Sequence, residues 1–210
     1  MTEAQAPFEA VVLAAGAGSR FGGGKLLAPH RGGVLLDGAL AAAFAAPAGR
    51  VIVATGADAD AVGAAARAFA ARTGQGARLA LVHAADHAEG MGASLRAAAR
   101  AVADEAAGVF VFLGDMPSIP HAVLAPLARA VRAGAPAAAA AFQGRRGHPA
   151  VFGAGLLPAL RDLRGDEGAR AVLRGLGGRL ALVEAPDDGV LFDVDTREDL
   201  AAGRARGLDS

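Results

Sequence analysis

The residues best suited to chemistry lie in a glycine-rich stretch after the first apolar segment. Residues 13–25 read Leu-Ala-Ala-Gly-Ala-Gly-Ser-Arg-Phe-Gly-Gly-Gly-Lys, directly after an apolar run over residues 8–13 that predicts a buried strand. Such a loop presents backbone N–H groups, and Arg20 and Lys25 add two positive charges. The stretch therefore indicates a polyphosphate-binding loop, at the carboxyl edge of a parallel sheet.

Two common phosphate-binding motifs do not match this loop. A P-loop needs Ser or Thr after Gly-Lys and a glycine five residues earlier, but Leu26 follows Lys25, and Ser19 stands at the earlier position. The dinucleotide motif needs a third glycine where Phe21 stands. A flexible loop without a ligand stays open as the alternative.

A second candidate follows the most apolar predicted strand, over residues 109–113. Residues 114–117 read Gly-Asp-Met-Pro, so the carboxylate of Asp115 comes directly after the strand. A carboxylate at that edge can hold Mg²⁺ together with phosphate oxygens. Asp115 can equally be the N-cap of the next helix.

A third candidate is the pair Asp193 and Asp195, followed by Thr196. On a short predicted strand over residues 191–194, side chains two positions apart point the same way. Two adjacent carboxylates repel unless they share a cation, so the pair indicates a metal site, with Asp195 favoured over Asp193. Thr196 or Asp195 can also cap the final helix, and we expect both roles together.

Two further segments are predicted loops whose residues could contact a ligand. Residues 89–95 read Glu-Gly-Met-Gly-Ala-Ser-Leu, where glycines allow a ligand to come close and Ser94 can hydrogen-bond. Residues 145–149 read Arg-Arg-Gly-His-Pro, and a basic turn suits an anionic substrate. The alternatives are an ordinary helix cap and a solvated turn.

Taken in order, these motifs resemble the MobA-like nucleotidyltransferase family over about residues 10–200. The resemblance implies that the first loop wraps a nucleoside triphosphate, that Asp115 binds metal with Asp195 or Asp193, and that His148 faces the acceptor substrate. Arg197 is a small departure, because the family usually has proline there. The nucleotide-binding residues that it implies are Leu13, Ala14, Ala15, Gly16, Gly18, Ser19, Gly90, Met91 and Ser94.

The resemblance also implies a reaction. The Leu-Ala-Ala-Gly form of residues 13–16, with Ala15, resembles the cytidylyltransferase branch of the family, since the guanylyltransferase branch usually reads Leu-Ala-Gly-Gly. The expected activity is Mg²⁺-dependent transfer of CMP from CTP to a phosphate-bearing acceptor, foremost molybdopterin, with Arg20, Lys25 and Asp115 as catalytic residues. The alternatives are a guanylyltransferase, a transferase for another phosphate acceptor, a non-catalytic nucleotide-binding maturation protein for a molybdoenzyme, and a dinucleotide-dependent oxidoreductase.

The amino-acid composition narrows the classes of binding partner that we expect. The 210 residues carry 21 basic and 21 acidic side chains, and the few aromatic residues are all Phe, so we expect no nucleic-acid partner. The absence of cysteine excludes disulfides and thiolate metal sites, and no apolar run reaches membrane-spanning length. We expect a cytoplasmic protein with small-molecule substrates and transient contact with a molybdoenzyme or its chaperone.

The elements that must position these residues alternate between strand and helix. This order predicts an α/β fold with a doubly wound, mostly parallel sheet in a single domain, with a core over about residues 8–205. The resemblance implies the Rossmann-like nucleotide-diphospho-sugar transferase type. Predicted strands cover residues 8–14, 50–54, 79–83, 109–113, 137–142, 180–184 and 191–194, with 146–152 as an antiparallel return. Predicted helices cover residues 36–45, 57–72, 94–107, 120–132, 156–163, 167–174 and 197–205.

Overall fold

The computed structural model describes residues 6–164 and 168–205. A seven-stranded sheet lies at its centre, in the order β5-β4-β1-β6-β8-β7-β9, and β2 and β3 form a separate hairpin. The strands are β1 (Phe8–Ala14), β2 (Pro29–His30), β3 (Gly33–Val34), β4 (Ala48–Thr55), β5 (Leu79–His83), β6 (Gly108–Leu113), β7 (Ala137–Phe142), β8 (Arg145–Gly153) and β9 (Leu180–Glu184).

Helices cover both faces of the sheet. They are α1 (Leu36–Ala45), α2 (Ala59–Arg72), α3 (Met91–Ala101), α4 (Leu124–Arg132), α5 (Leu157–Arg161), α6 (Ala169–Leu176) and α7 (Arg197–Ala205). The buried side chains of α1, α2 and α4 pack in one core cluster, and those of α3, α5 and α6 pack in another. The predicted doubly wound α/β fold is therefore confirmed.

The sheet faces follow from the two-residue period of a strand. In β6, Phe110 and Phe112 pack into the first cluster, whereas Val109 and Val111 pack into the second. Because both faces are buried, the strand is apolar at every one of these positions rather than alternating with polar residues.

One reversed strand matters for the site. β8 runs antiparallel to β6 and β7, whereas β1, β4, β5 and β6 are mutually parallel. The first residues of β8, Arg145–His148, therefore lie at the same sheet edge as Asp115, which follows the carboxyl end of β6. Among the described helices, none has the length and apolar character needed to cross a membrane.

Several predicted boundaries were wrong. Gly90 adopts a φ of 112°, which starts α3 at Met91, and the helix ends at Ala101 instead of residue 107. Helix α4 is preceded by a 3-10 turn over His121–Val123, and α5 is shorter than predicted. The start predicted for α6 at residue 167 lies outside the described residues.

The strand predicted over residues 191–194 is absent from the described structure. A 3-10 turn covers Asp188–Leu191, and the amide of Val194 donates to the carbonyl of Asp115 at 3.0 Å. This backbone bond goes to the loop after β6 rather than to a neighbouring strand. The argument that Asp193 and Asp195 point the same way from a strand was therefore wrong.

Candidate active site

The glycine-rich loop folds into two short turns beyond β1. A 3-10 turn over Ser19–Phe21 begins after Gly18, and another over Lys25–Leu27 begins after Gly24. Gly18 has a φ of 59°, and a Cβ atom added there would lie 2.9 Å from the Cβ atom of Lys25. The absence of a side chain at Gly18 thus lets Lys25 pack beneath the loop.

Lys25 joins two carboxylates that are far apart in the sequence. Its Nζ atom donates to Oδ2 of Asp115 at 2.8 Å and to Oδ1 of Asp195 at 3.3 Å. Nη1 of Arg20 donates to Oδ2 of Asp195 at 3.0 Å. The two predicted cations and two of the three predicted metal-binding carboxylates therefore form one cluster.

The charges in this cluster shift the pKa of Lys25 and that of the nearby Asp193. Burial favours the neutral amine of Lys25, but Asp115 and Asp195 more than offset it, so the pKa of Lys25 is raised. Burial, followed by the nearby charges of Asp115 and Asp195, raises the pKa of Asp193. Because its pKa is raised, Lys25 is a permanent ammonium at neutral pH.

Asp115 and Asp195 fit a divalent cation that shares its ligands with phosphate. Oδ1 of Asp115 is buried without a hydrogen-bond partner, while its other oxygen contacts the ammonium of Lys25. Across residues 6–164 and 168–205, no three His, Cys, Asp or Glu side chains group as a metal site. Mg²⁺ is commonly held by one or two carboxylates together with phosphate oxygens and water, so two carboxylates suit it.

The capping alternatives have different outcomes for the two candidate motifs. Oδ2 of Asp199 accepts from the amide and hydroxyl of Thr196, each at 2.8 Å, and Thr196 Oγ1 accepts from the amide of Asp199 at 3.1 Å. These bonds cap α7 and leave the Asp195 side chain to Lys25 and Arg20. Asp115 caps no helix, because the following 3-10 turn and α4 begin after Pro120 and Val123.

A cavity of about 450 Å³ brings most of the predicted residues together. Ala14 and His148 do not line it, and neither does Asp193. We call it the triphosphate cavity, after the ligand that the sequence predicts for it. The predicted residues that line it are Leu13, Ala15, Gly16, Gly18, Ser19, Arg20, Lys25, Gly90, Met91, Ser94, Asp115 and Asp195.

His87 also lines the triphosphate cavity and was missed as a site residue. It packs against Gly56, where an added Cβ atom would lie 2.8 Å from Cγ of His87 and 2.5 Å from the carbonyl oxygen of Ala15. The Thr-Gly pair at the end of β4 was an available signal, since β4 runs beside β1 in parallel register.

A second cavity of about 220 Å³ adjoins the first and shares Leu13, Met91 and Leu113 with it. We call it the acceptor cavity, after the substrate that the family resemblance implies for His148. Its floor is apolar, and its polar lining residues are Arg145, Arg146, His148, Arg170 and Asp193.

His148 does not contribute a positive charge to the acceptor cavity. Burial lowers its pKa to about 4, outweighing the opposite effect of Asp115. Its imidazole is therefore neutral at pH 7, and the arginines supply the positive charge.

A larger cavity, of about 890 Å³, lies between the β2–β3 hairpin, Phe69 and Pro117. It contains none of the predicted site residues. Two of the charged residues in its wall, Asp37 and Arg72, are paired with each other at 2.6 Å.

Comparison with known sequences gives a family and a relative. The family of MobA-like NTP transferase domains matches residues 10–183. Nicotine blue oxidoreductase of Paenarthrobacter nicotinovorans is 35% identical over 199 residues, which cover 90% of this chain and 93% of that protein.

Solved structures agree with this assignment. Rv0371c from Mycobacterium tuberculosis H37Rv has a TM-score of 0.81 at 26% identity, covering 96% of this chain and 99% of that one. Its complex with manganese has a TM-score of 0.71 at 27% identity, covering 93% and 97%. A nucleotidyl transferase from Methanothermobacter thermautotroptrophicus has a TM-score of 0.75 at 25% identity, covering 97% and 98%. The fold is the Rossmann-like one of nucleotide-diphospho-sugar transferases.

Proposed function

Because the chain belongs to the MobA-like NTP transferase family, we propose that it transfers CMP from CTP to a phosphate-bearing acceptor and releases pyrophosphate. The observation that carries this proposal is the contact of Lys25 with both Asp115 and Asp195 inside the triphosphate cavity. A single position there offers fixed positive charge and two carboxylates suited to Mg²⁺.

In the proposed reaction, a terminal phosphate oxygen of the acceptor attacks the α-phosphorus of CTP. The bond from the α-phosphorus to the bridging oxygen of the β-phosphate breaks, and pyrophosphate leaves with that electron pair. The acceptor oxygen is already anionic, so no protein base has to remove a proton. Catalysis rests on positioning and charge neutralisation.

The chain's own residues have distinct parts in this proposal. Backbone amides near Ala15, Gly16 and Gly18 bind phosphate oxygens, and Arg20 and Lys25 neutralise the charge on the departing pyrophosphate. Asp115 and Asp195 would hold Mg²⁺, which supplies further positive charge to the phosphates when bound.

The lining of the acceptor cavity suits a flat acceptor that carries a phosphate group. Leu95, Val111 and Phe152 give it an apolar interior, and Arg145 and Arg146 lie in its lining. Apolar walls suit a ring system, and guanidinium groups suit phosphate. Molybdopterin has both features, and Ala15 in the loop favours CTP as the donor. The proposed setting is the cytoplasm, with transfer of the product to a molybdoenzyme or its chaperone.

An oxidoreductase is the second candidate, because the curated relative carries that name. Phe21 argues against dinucleotide binding, since its buried ring packs with Leu35, Val194 and Leu200 at the position where the dinucleotide motif needs glycine. A non-catalytic nucleotide-binding protein is disfavoured by the complete set of Arg20, Lys25 and Asp115.

Thermal stabilisation by ligands separates these functions. The protein is melted with CTP, GTP, ATP, UTP or NAD, each with and without Mg²⁺, because a ligand of the native state raises the melting temperature by mass action. We expect the largest shift with CTP and Mg²⁺, followed by pyrophosphate release when molybdopterin is added. A preference for GTP would indicate the guanylyltransferase, and a shift with NAD alone would contradict the proposal.

A further inference from the structure

A partly buried arginine outside both cavities connects the walls that enclose them. Arg96 lies on α3, and its side chain is 13% exposed. Its Nη2 atom donates to the carboxylate of Asp86 and to Oε2 of Glu89 at 3.2 Å. Its Nη1 atom donates to the carbonyl oxygen of Leu163 at 2.5 Å.

The first of these walls is the segment that precedes α3. A 3-10 turn covers His87–Glu89, and Gly90 follows with a φ of 112°. His87, Gly90 and Met91 line the triphosphate cavity, and the two acids held by Arg96 flank His87. The hydrogen bond from Arg96 lowers the pKa of Asp86, so this carboxylate is ionised at neutral pH.

The second wall is the start of α6, where Ala169 and Arg170 line the acceptor cavity. Leu163, after the end of α5, packs against the same core cluster as Ala169. A Cβ atom added at Gly168 would lie 3.7 Å from Sδ of Met91, so Gly168 packs against a side chain that borders both cavities.

We propose that Arg96 is a positioning residue that fixes these two walls relative to each other and so sets the affinity for triphosphate and acceptor. The role rests on the nucleotidyltransferase function proposed above. Arg96 lines neither cavity and acts only through Asp86, Glu89 and Leu163. A planar guanidinium can serve three acceptors at fixed angles, whereas an ammonium on a flexible stem cannot hold them in one geometry.

The test compares Arg96→Gln and Arg96→Lys with the matched control Arg100→Gln. Arg100 lies one turn further along α3, is exposed, and donates from Nε to the carbonyl oxygen of Arg161 at 3.3 Å. Isothermal titration with CTP and Mg²⁺ gives Kd, pyrophosphate release gives KM for the acceptor and kcat, and circular dichroism gives the melting temperature without ligand.

We expect both Arg96 variants to raise Kd for CTP and KM for the acceptor by about tenfold, because a small misplacement of binding walls weakens every contact. The kcat at saturation should stay within about threefold, since Arg96 touches no reacting atom. Arg100→Gln should match the wild type. If Arg96→Gln does not fold, Arg96→Lys, which keeps the charge and stem, gives the result.

Two outcomes contradict this role in different ways. A wild type that binds CTP, with Arg96 variants of equal affinity, overturns the positioning role alone. The same conclusion follows if Arg100→Gln weakens binding as much as Arg96→Gln. A wild type that binds no triphosphate overturns the proposed function, and the role of Arg96 with it.

Discussion

Replacing Lys25 with Met tests the central charge of the proposed site. Methionine keeps an unbranched side chain of similar length but removes the ammonium that contacts Asp115 at 2.8 Å and Asp195 at 3.3 Å. Because the carboxylates raise the pKa of Lys25, the wild-type charge is constant across ordinary assay conditions. The loss of rate in the variant should therefore be the same from about pH 6 to pH 9.

The expected loss of rate is much larger than the loss of stability. Removing one fixed donor to developing charge typically costs about 3–4 kcal/mol, or about 10²–10³-fold in kcat. The pair with Asp195, which is 44% exposed, is screened by water, and the pair with Asp115, which is 23% exposed, is screened less. Together they contribute about 1–2 kcal/mol. For a chain of this length, that is a fall of about 2–8 °C in melting temperature.

The assay is pyrophosphate release with CTP, Mg²⁺ and molybdopterin, alongside thermal melting. The matched control is Arg72→Met, which also breaks an ion pair, to Asp37 at 2.6 Å, but lies outside the triphosphate cavity. It should keep wild-type kcat. A Lys25→Met rate within about threefold of wild type, or an equal loss in both variants, would refute the role of the ammonium.

Three further variants test the loop, the carboxylates and the histidine. Gly18→Ala should lose more stability and activity than Gly24→Ala. Both glycines have a φ of 59°, but only Gly18 would place a Cβ atom against Lys25. Equal melting temperatures and rates would contradict this packing argument. Asp195→Asn should weaken Mn²⁺ binding in the presence of CTP, as measured by titration, whereas Asp193→Asn should chiefly raise KM for the acceptor; the reverse pattern would exchange their roles. Burial lowers the pKa of His148 to about 4, so between about pH 4 and 6.5 the folded chain binds fewer protons than the unfolded chain. The free energy of unfolding therefore falls as the pH falls through that window, by up to about 3 kcal/mol. The melting temperature of His148→Gln should therefore fall less than that of the wild type when the pH is lowered from 7 to 4.5. Equal falls in the two proteins would show that the imidazole does not titrate in this way.

The sheet could be predicted because its strands carry a strong signal. β6 has apolar residues that are buried on both faces of the sheet, and Asp115 follows it after a single residue, Gly114. In a parallel sheet the carboxyl ends of β1 and β6 share an edge, so the proximity of the glycine-rich loop to Asp115 followed from topology alone. The contact between Lys25 and Asp115 spans 90 positions and agrees with that expectation.

The separation of Asp193 from Asp195 could not be predicted in the same way. It depends on the bond from the Val194 amide to the Asp115 carbonyl and on burial of Val194 with Phe21. Both are tertiary contacts between segments far apart in the chain, and a local period cannot reveal them. The position of His87 against Gly56 has the same origin, since the two residues meet only after β4 and β5 pair.

The reversed strand β8 has a consequence for how such a protein can diversify. The turn at Gln143 and Gly144, both with positive φ, lies at one end of this strand, directly before Arg145 and Arg146. The glycine-rich loop, which we propose binds the donor, leaves a different strand, β1, on the far side of β6. On this proposal, substitutions at the β7–β8 turn would exchange one acceptor for another while the residues proposed for the triphosphate stay in place. A lineage built on this scaffold would then acquire new substrates through a short exposed segment without repacking its core.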